Sequence, residues 1–164
     1  MPPRMAVLSD RDIKAARTAG RIRIEPFRDE SLTPNGYDLS IGEVIVLLTE
    51  PETVREGVAK VPPQTRFAVS TAEVVELGGE ITAQLWLRTT WARRGVLASF
   101  GKVDAGFRGT LTLPSYHADR FSFLELPVGD RFAQIVFEEL SSPVEHGYGK
   151  RSGHYQDQRG VRLK

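Results

Sequence analysis

The sequence predicts an all-β chain, a barrel, sandwich or related closed sheet preceded by one short helix. Six segments carry that prediction: "IGEVIVLL", "TRFAVSTAEVVEL", "ITAQLWLRTT", "GTLTL", "RFSFLEL" and "RFAQIVFEEL". Each shows period-two alternation or a short run of branched apolar residues, and each is bounded by Gly, Pro, Asp or Asn, which turn the chain. No helical pattern recurs between them, which argues against a parallel α/β sheet.

The elements follow in order. "LSDRDIKAARTAGRI" begins with Ser9 and, three residues on, Asp12, the pairing that satisfies free N–H groups of a first helical turn. Ile13 and Ala16 fall on one face, and Gly20 can end the helix. The six strand segments come next. From Ser141 the composition changes to glycine and polar residues, with Lys150, Arg151, Arg159, Arg162 and Lys164 against Glu145 and Asp157. Two readings of residues 141–164 stand: a solvated loose end, the commoner state of a terminus, or a lid that closes on an anion with Tyr148 and Tyr155 as flat faces.

With 164 residues, 40% hydrophobic and 26% charged, residues 1–164 form a single domain able to bury its own core. A net charge of +1 supplies no basic field for DNA or RNA. The absence of cysteine excludes disulfides, thiol nucleophiles and thiolate zinc, and three histidines make a protein-built zinc site a poor expectation. "MPPRMAVLSDRD" lacks the apolar core of a secretory signal, and no apolar run approaches the roughly 20 residues of a membrane helix. A cytoplasmic protein with no membrane partner is expected.

Four clusters could carry chemistry. "LRTTWARRG" sets Arg88 and Arg93 around Thr89 and Thr90. Guanidinium forks, hydroxyls and the N–H groups of a chain turning into a short helical segment suit phosphate, although the same pattern occurs on solvated strand ends. In "GKVDAGFRG" the carboxylate Asp104 stands among glycines that admit a ligand to the backbone; alone, it reads as a turn residue. Asp38 in "NGYDLSIG" is similar, and there too a turn is the simpler reading. Gln134 in "GDRFAQIVFEEL" either faces solvent by alternation or recognises a polar group.

Taken in order, these segments resemble the superfamily of deoxyuridine triphosphatases and deoxycytidine triphosphate deaminases. The helix segment, "NGYDLSIG", "RTTWARRG", "GKVDAGFRG", "GDRFAQIVFEEL" and then "SSPVEHGYG" and "SGHYQDQRG" match its motifs over about residues 7–160, with the tail of the deaminase branch. The resemblance implies a distorted β-barrel of the β-clip type and a homotrimer with nucleotide sites between subunits, closed by the tail. It implies that Arg88, Thr89, Thr90 and Arg93 hold the triphosphate, and that Phe100, Gly101, Lys102 and Val103 read the pyrimidine through their backbone. Phe107 would pack on the deoxyribose, Gln134 is grouped with the base and sugar residues, and Tyr148, His154 and Gln158 match tail positions that contact nucleotide. His154 departs from the lysine usual there, which would make its phosphate contact sensitive to pH.

The two family reactions need different carboxylates. The resemblance gives hydrolysis of dUTP to dUMP and pyrophosphate to an aspartate at Asp104, which activates water beside Mg²⁺, with Asp38 as support for a metal-bound water or as a turn residue. Deamination of dCTP places a glutamate where this chain reads "LTLPS", so Pro114 stands in its position. Proline neither titrates nor donates an N–H. His117, three residues on, would point to the opposite strand face. The expectation is a dUTP pyrophosphatase; the alternatives are a dCTP deaminase, alone or bifunctional, and a non-catalytic deoxynucleotide-binding regulator, the last suggested by Pro114 and by Trp91 where leucine is usual.

Overall fold

The computed structural model describes residues 6–164; the "MPPRM" part of the signal-sequence reading lies outside them. Helix α1 (Asp10–Thr18) starts as expected, with Ser9 accepting from the Asp12 N–H and the Asp12 carboxylate accepting from the Ser9 backbone. Ile13 and Ala16 face the core and Gly20 leaves the helix at φ +71°.

The strands that follow are β1 (Ile22–Glu25), β2 (Leu32–Thr33), β3 (Gly36–Val46), β4 (Glu52–Val54), β5 (Val58–Val61), β6 (Thr65–Thr71) and β7 (Val74–Leu77). The second half holds β8 (Ile81–Leu87), helix α2 (Thr89–Ala92), β9 (Val96–Ala98), β10 (Lys102–Val103), β11 (Arg108–Gly109), β12 (Thr112–His117), β13 (Leu124–Pro127), β14 (Arg131–Glu139) and helix α3 (Tyr148–Arg151). The main sheet runs β10-β8-β14-β3-β6-β12-β9, with β2 and β4 flanking β3, and all its pairings are antiparallel. It curls into a half-barrel. Smaller sheets β1-β7-β11 and β13-β5 pack on the same core, whose interior is filled by Tyr37, Leu39, Ile41, Phe67, Leu113, Phe132, Ile135 and Phe137.

Three expectations are corrected. Asp38 is not at a turn: "NGYDLSIG" is the start of β3, and Asp38 is paired opposite Gln134 of β14. A Cβ on Gly36 would meet the Ile135 carbonyl at 2.8 Å, and one on Gly42 the Ala72 backbone at 2.8 Å, so these glycines serve close strand packing. "RFSFLEL" is a strand only over its second half, because Asp119 caps the N–H groups of Phe121 and Ser122 and leaves Phe121 exposed in a loop. The tail is not a loose end. Tyr148 N–H donates to the Ala105 carbonyl at 2.9 Å, Asp157 N–H to Arg108 at 2.7 Å, and Thr110 N–H to Gln158 at 3.0 Å, so residues 148–158 run along 105–110. The Arg108 guanidinium grips the Asp157 carboxylate and holds it below the usual carboxylate range.

Candidate nucleotide site

Asp104 leaves β10 just before a turn that its own backbone closes, since its carbonyl accepts from the Phe107 N–H at 3.1 Å. The side chain is not used in that turn. Its Oδ1 accepts from Lys102 Nζ at 2.6 Å, and the half-exposed carboxylate lines a cavity of about 340 Å³. Phe100, Lys102, Val103, Phe107, Pro114, Tyr148 and Gln158 line the same space, so most of the residues assigned to base, sugar and tail come together. Asp104 is the one carboxylate among the described lining residues.

The tail reaches this cavity because glycines let it. A Cβ on Gly106, at φ +85°, would stand 2.9 Å from the Tyr148 nitrogen; one on Gly109 would stand 3.1 Å from Gln158 N and O. Docking sets the Tyr148 ring edge-on to Phe107, centroids 5.5 Å apart. Gln158 is buried, its amide Nε2 donating to the Thr110 carbonyl at 2.6 Å, while its Oε1 has no hydrogen-bond partner among the described residues. Pro114 lies on the exposed face of β12 beside Thr112, whereas His117 is buried on the opposite face with Nε2 against the Ser122 carbonyl.

The second cluster is separate in one chain. β8 ends at Leu87 and the chain turns into α2, pinned by Trp91, which is buried against Phe132 and donates Nε1–H to the Arg131 carbonyl at 2.8 Å. The tryptophan at the usual leucine position therefore builds the core. Thr89, Thr90 and Arg93 are exposed, and Arg88 turns its Nε toward Asp38 Oδ2 at 3.2 Å. Asp38, buried, also meets Arg131 at 3.7 Å and accepts from Gln134 at 3.3 Å. Gln134 thus faces Asp38 and lies outside the cavity, as do Arg88, Thr89, Thr90, Arg93 and His154, the last packed against Tyr155. Sequence reasoning missed Arg131, whose only signal was a cation opening an apolar strand. Arg162, read only as one of the tail's cations, and Leu163 also line the cavity, where tail docking brings them.

This half-barrel and its cavity define a dUTPase-like fold. The chain aligns with dUTPase from phage phi11 of Staphylococcus aureus at a TM-score of 0.54 and 18% identity, over 76% of this chain and 97% of that one. It aligns with 2′-deoxycytidine 5′-triphosphate deaminase from Agrobacterium tumefaciens at 0.69 and 19%, over 82% of this chain but 48% of that one, about half its length. The chain belongs to the dCTP deaminase-like family, whose profile matches residues 7–140. It is 41% identical over 136 residues to a dCTP deaminase of Pyrococcus horikoshii, covering 82% of this chain and 85% of that protein. It is 35% identical over 158 residues to a probable deoxyuridine 5′-triphosphate nucleotidohydrolase of Sulfolobus islandicus rod-shaped virus 1, covering 96% and 97%.

Proposed function

We propose that the protein is a dUTP diphosphatase that cleaves dUTP to dUMP and pyrophosphate with Asp104 as general base. The observation that supports this reading is the cavity wall, where Asp104 is the lone carboxylate and Pro114 contributes nothing that titrates. Lys102 engages Oδ1 of Asp104 and leaves the second oxygen to accept a proton. A water held there loses its proton to Asp104 as its oxygen bonds the α-phosphorus. The bond from that phosphorus to the bridging oxygen then breaks, and pyrophosphate departs.

Phe107 and Tyr148 would cover the sugar, and the backbone of Phe100–Val103 would read the base, with its C4 edge toward Pro114. Arg88, Thr89, Thr90 and Arg93 lie outside this cavity, so a second copy must bring them to the triphosphate. That requirement, with Trp86 of β8 58% exposed beside a groove formed with residues 98–102, supports a homotrimer. Among the described residues no group of three His, Cys, Asp or Glu side chains could cage a metal. Asp104 is a hard oxygen donor that fits Mg²⁺ held mainly by phosphate oxygens. When bound, the ion would neutralise charge on the phosphates; the phi11 dUTPase structure is described with a structural Mg(II) ion. Asp38, already shared by two arginines and an amide, is better placed to hold Arg88 than to support a metal-bound water. No described helix is long and apolar enough to cross a membrane, and a cytoplasmic site of action is part of the proposal.

A dCTP deaminase is the second reading, favoured by the name of the Pyrococcus relative. It lacks a proton shuttle at the C4 edge. Asp104→Asn tests the main reading: pyrophosphate release should fall by roughly 10²- to 10⁴-fold, while a non-hydrolysable dUTP analogue still binds. Unchanged release would overturn it.

A further inference from the structure

The last residues of the chain, 161–164, lie beyond both the family match, which ends at residue 140, and the motifs that resemble the superfamily. They are nevertheless tied down over the nucleotide cavity. Gly160 turns the chain at φ +68°, where a Cβ would stand 3.1 Å from Glu43 Oε1, and Val161 N–H donates to that oxygen at 2.8 Å. Glu43 is itself fixed by Arg55 at 2.7 Å. The next amide, Arg162 N–H, donates to Thr112 Oγ1 at 3.0 Å, and Arg162 and Leu163 then line the cavity with Asp104, Phe107, Pro114 and Gln158.

We infer that this C-terminal strap is a wall of the base pocket and that Arg162 is its selectivity residue, favouring a pyrimidine with a carbonyl at C4 over one with an amine. The inference rests on the nucleotide reading of the cavity. Thr112 and Pro114 are two residues apart on one face of β12, about 6.7 Å along the strand, so the strap enters beside the Pro114 wall that faces the C4 edge. A guanidinium is a donor at every polar atom and accepts nothing. Uracil offers it the O4 lone pairs; cytosine offers an amino group whose hydrogens face the donors. The strap thereby supplies discrimination on the side of the pocket where the proline side chain offers no polar group. Arg162 is exposed and its side chain meets Lys164 and Tyr155 of the tail, so its replacement should leave the fold intact. Its Nε bonds the Lys164 carbonyl at 3.2 Å and its guanidinium carbon lies 5.8 Å from the Tyr155 ring centre, leaving the terminal nitrogens for a ligand.

The test is calorimetric binding of the α,β-imido analogues of dUTP and dCTP, with Mg²⁺, to the full-length wild type, Arg162→Ala and Arg162→Lys. The expected result is a wild-type preference for the uracil analogue. Arg162→Ala should narrow that preference by about ten- to a hundredfold, the range of one charged hydrogen bond, through weaker binding of the uracil analogue. Arg162→Lys should keep part of it, and melting temperatures should not change. The same uracil-to-cytosine ratio in wild type and Arg162→Ala, with both analogues bound, would overturn this inference and leave the diphosphatase reading standing. A wild type that binds neither analogue would overturn both.

Discussion

Replacing Gly106 with alanine should peel the tail from the cavity. Gly106 sits at φ +85°, where an L residue is strained by about 1–2 kcal/mol. The new methyl would also meet the Tyr148 nitrogen at 2.9 Å and Gly147 Cα at 3.0 Å, both backbone atoms that cannot rotate away. The tail must move, and the hydrogen bond from Tyr148 N–H to the Ala105 carbonyl, 2.9 Å long, is lost for about another 1 kcal/mol. The strain of the 104–107 turn is common to the docked and open tail, so what opposes docking is the lost bond: at least about 1 kcal/mol, or roughly a fivefold or greater rise in the open fraction. Hydrogen exchange reads this directly. The amides of Tyr148, Asp157 and Thr110, which bridge tail and cavity, should exchange faster by that factor, while core amides such as Phe137 change far less. Unchanged exchange at those three amides would refute the claim that glycine at 106 admits the tail.

Asp38→Asn should destabilise the fold by about 1–2 kcal/mol in urea, less than a fully buried broken pair, because the arginines it faces are partly exposed. Glu73 is buried with no salt-bridge partner among the described residues, its carboxylate accepting from the Ser40 N–H and hydroxyl, and burial raises its pKa. The native state therefore holds this proton more tightly than the unfolded chain, so Glu73 costs stability as pH rises through the range just above 4.5. Glu73→Gln should gain on the wild type as pH is raised through that range and lose the advantage in acid, as urea midpoints across pH would show. Trp86→Glu should convert the proposed trimer to monomers in light scattering, with Asp104 and its cavity still folded.

The parts of the fold visible in sequence were those where local pattern and packing agree. The capping pair Ser9 and Asp12 and the long strands β8 and β14 met both conditions. Strands of two to four residues, such as β9, β10 and β11, are too short to show a period and exist because neighbours pair with them. Asp38 was misread because glycine has two uses, turning and close packing, that look alike in sequence. The site divided in the same way. Residues 100–107 and Pro114 converge because one hairpin region carries them, so motif order was enough. Tail docking was one of two readings of residues 141–164, and a glycine-rich composition could not choose it because the docking is made by backbone hydrogen bonds; Arg131 beside Asp38 depends on the register of β3 against β14.

The most direct test is a paired product assay on the purified protein with dUTP and dCTP in the presence of Mg²⁺. Pyrophosphate and dUMP should form from dUTP and be lost in Asp104→Asn, with no ammonia from dCTP. Ammonia from dCTP, or pyrophosphate release that survives loss of the Asp104 carboxylate, would overturn the diphosphatase reading.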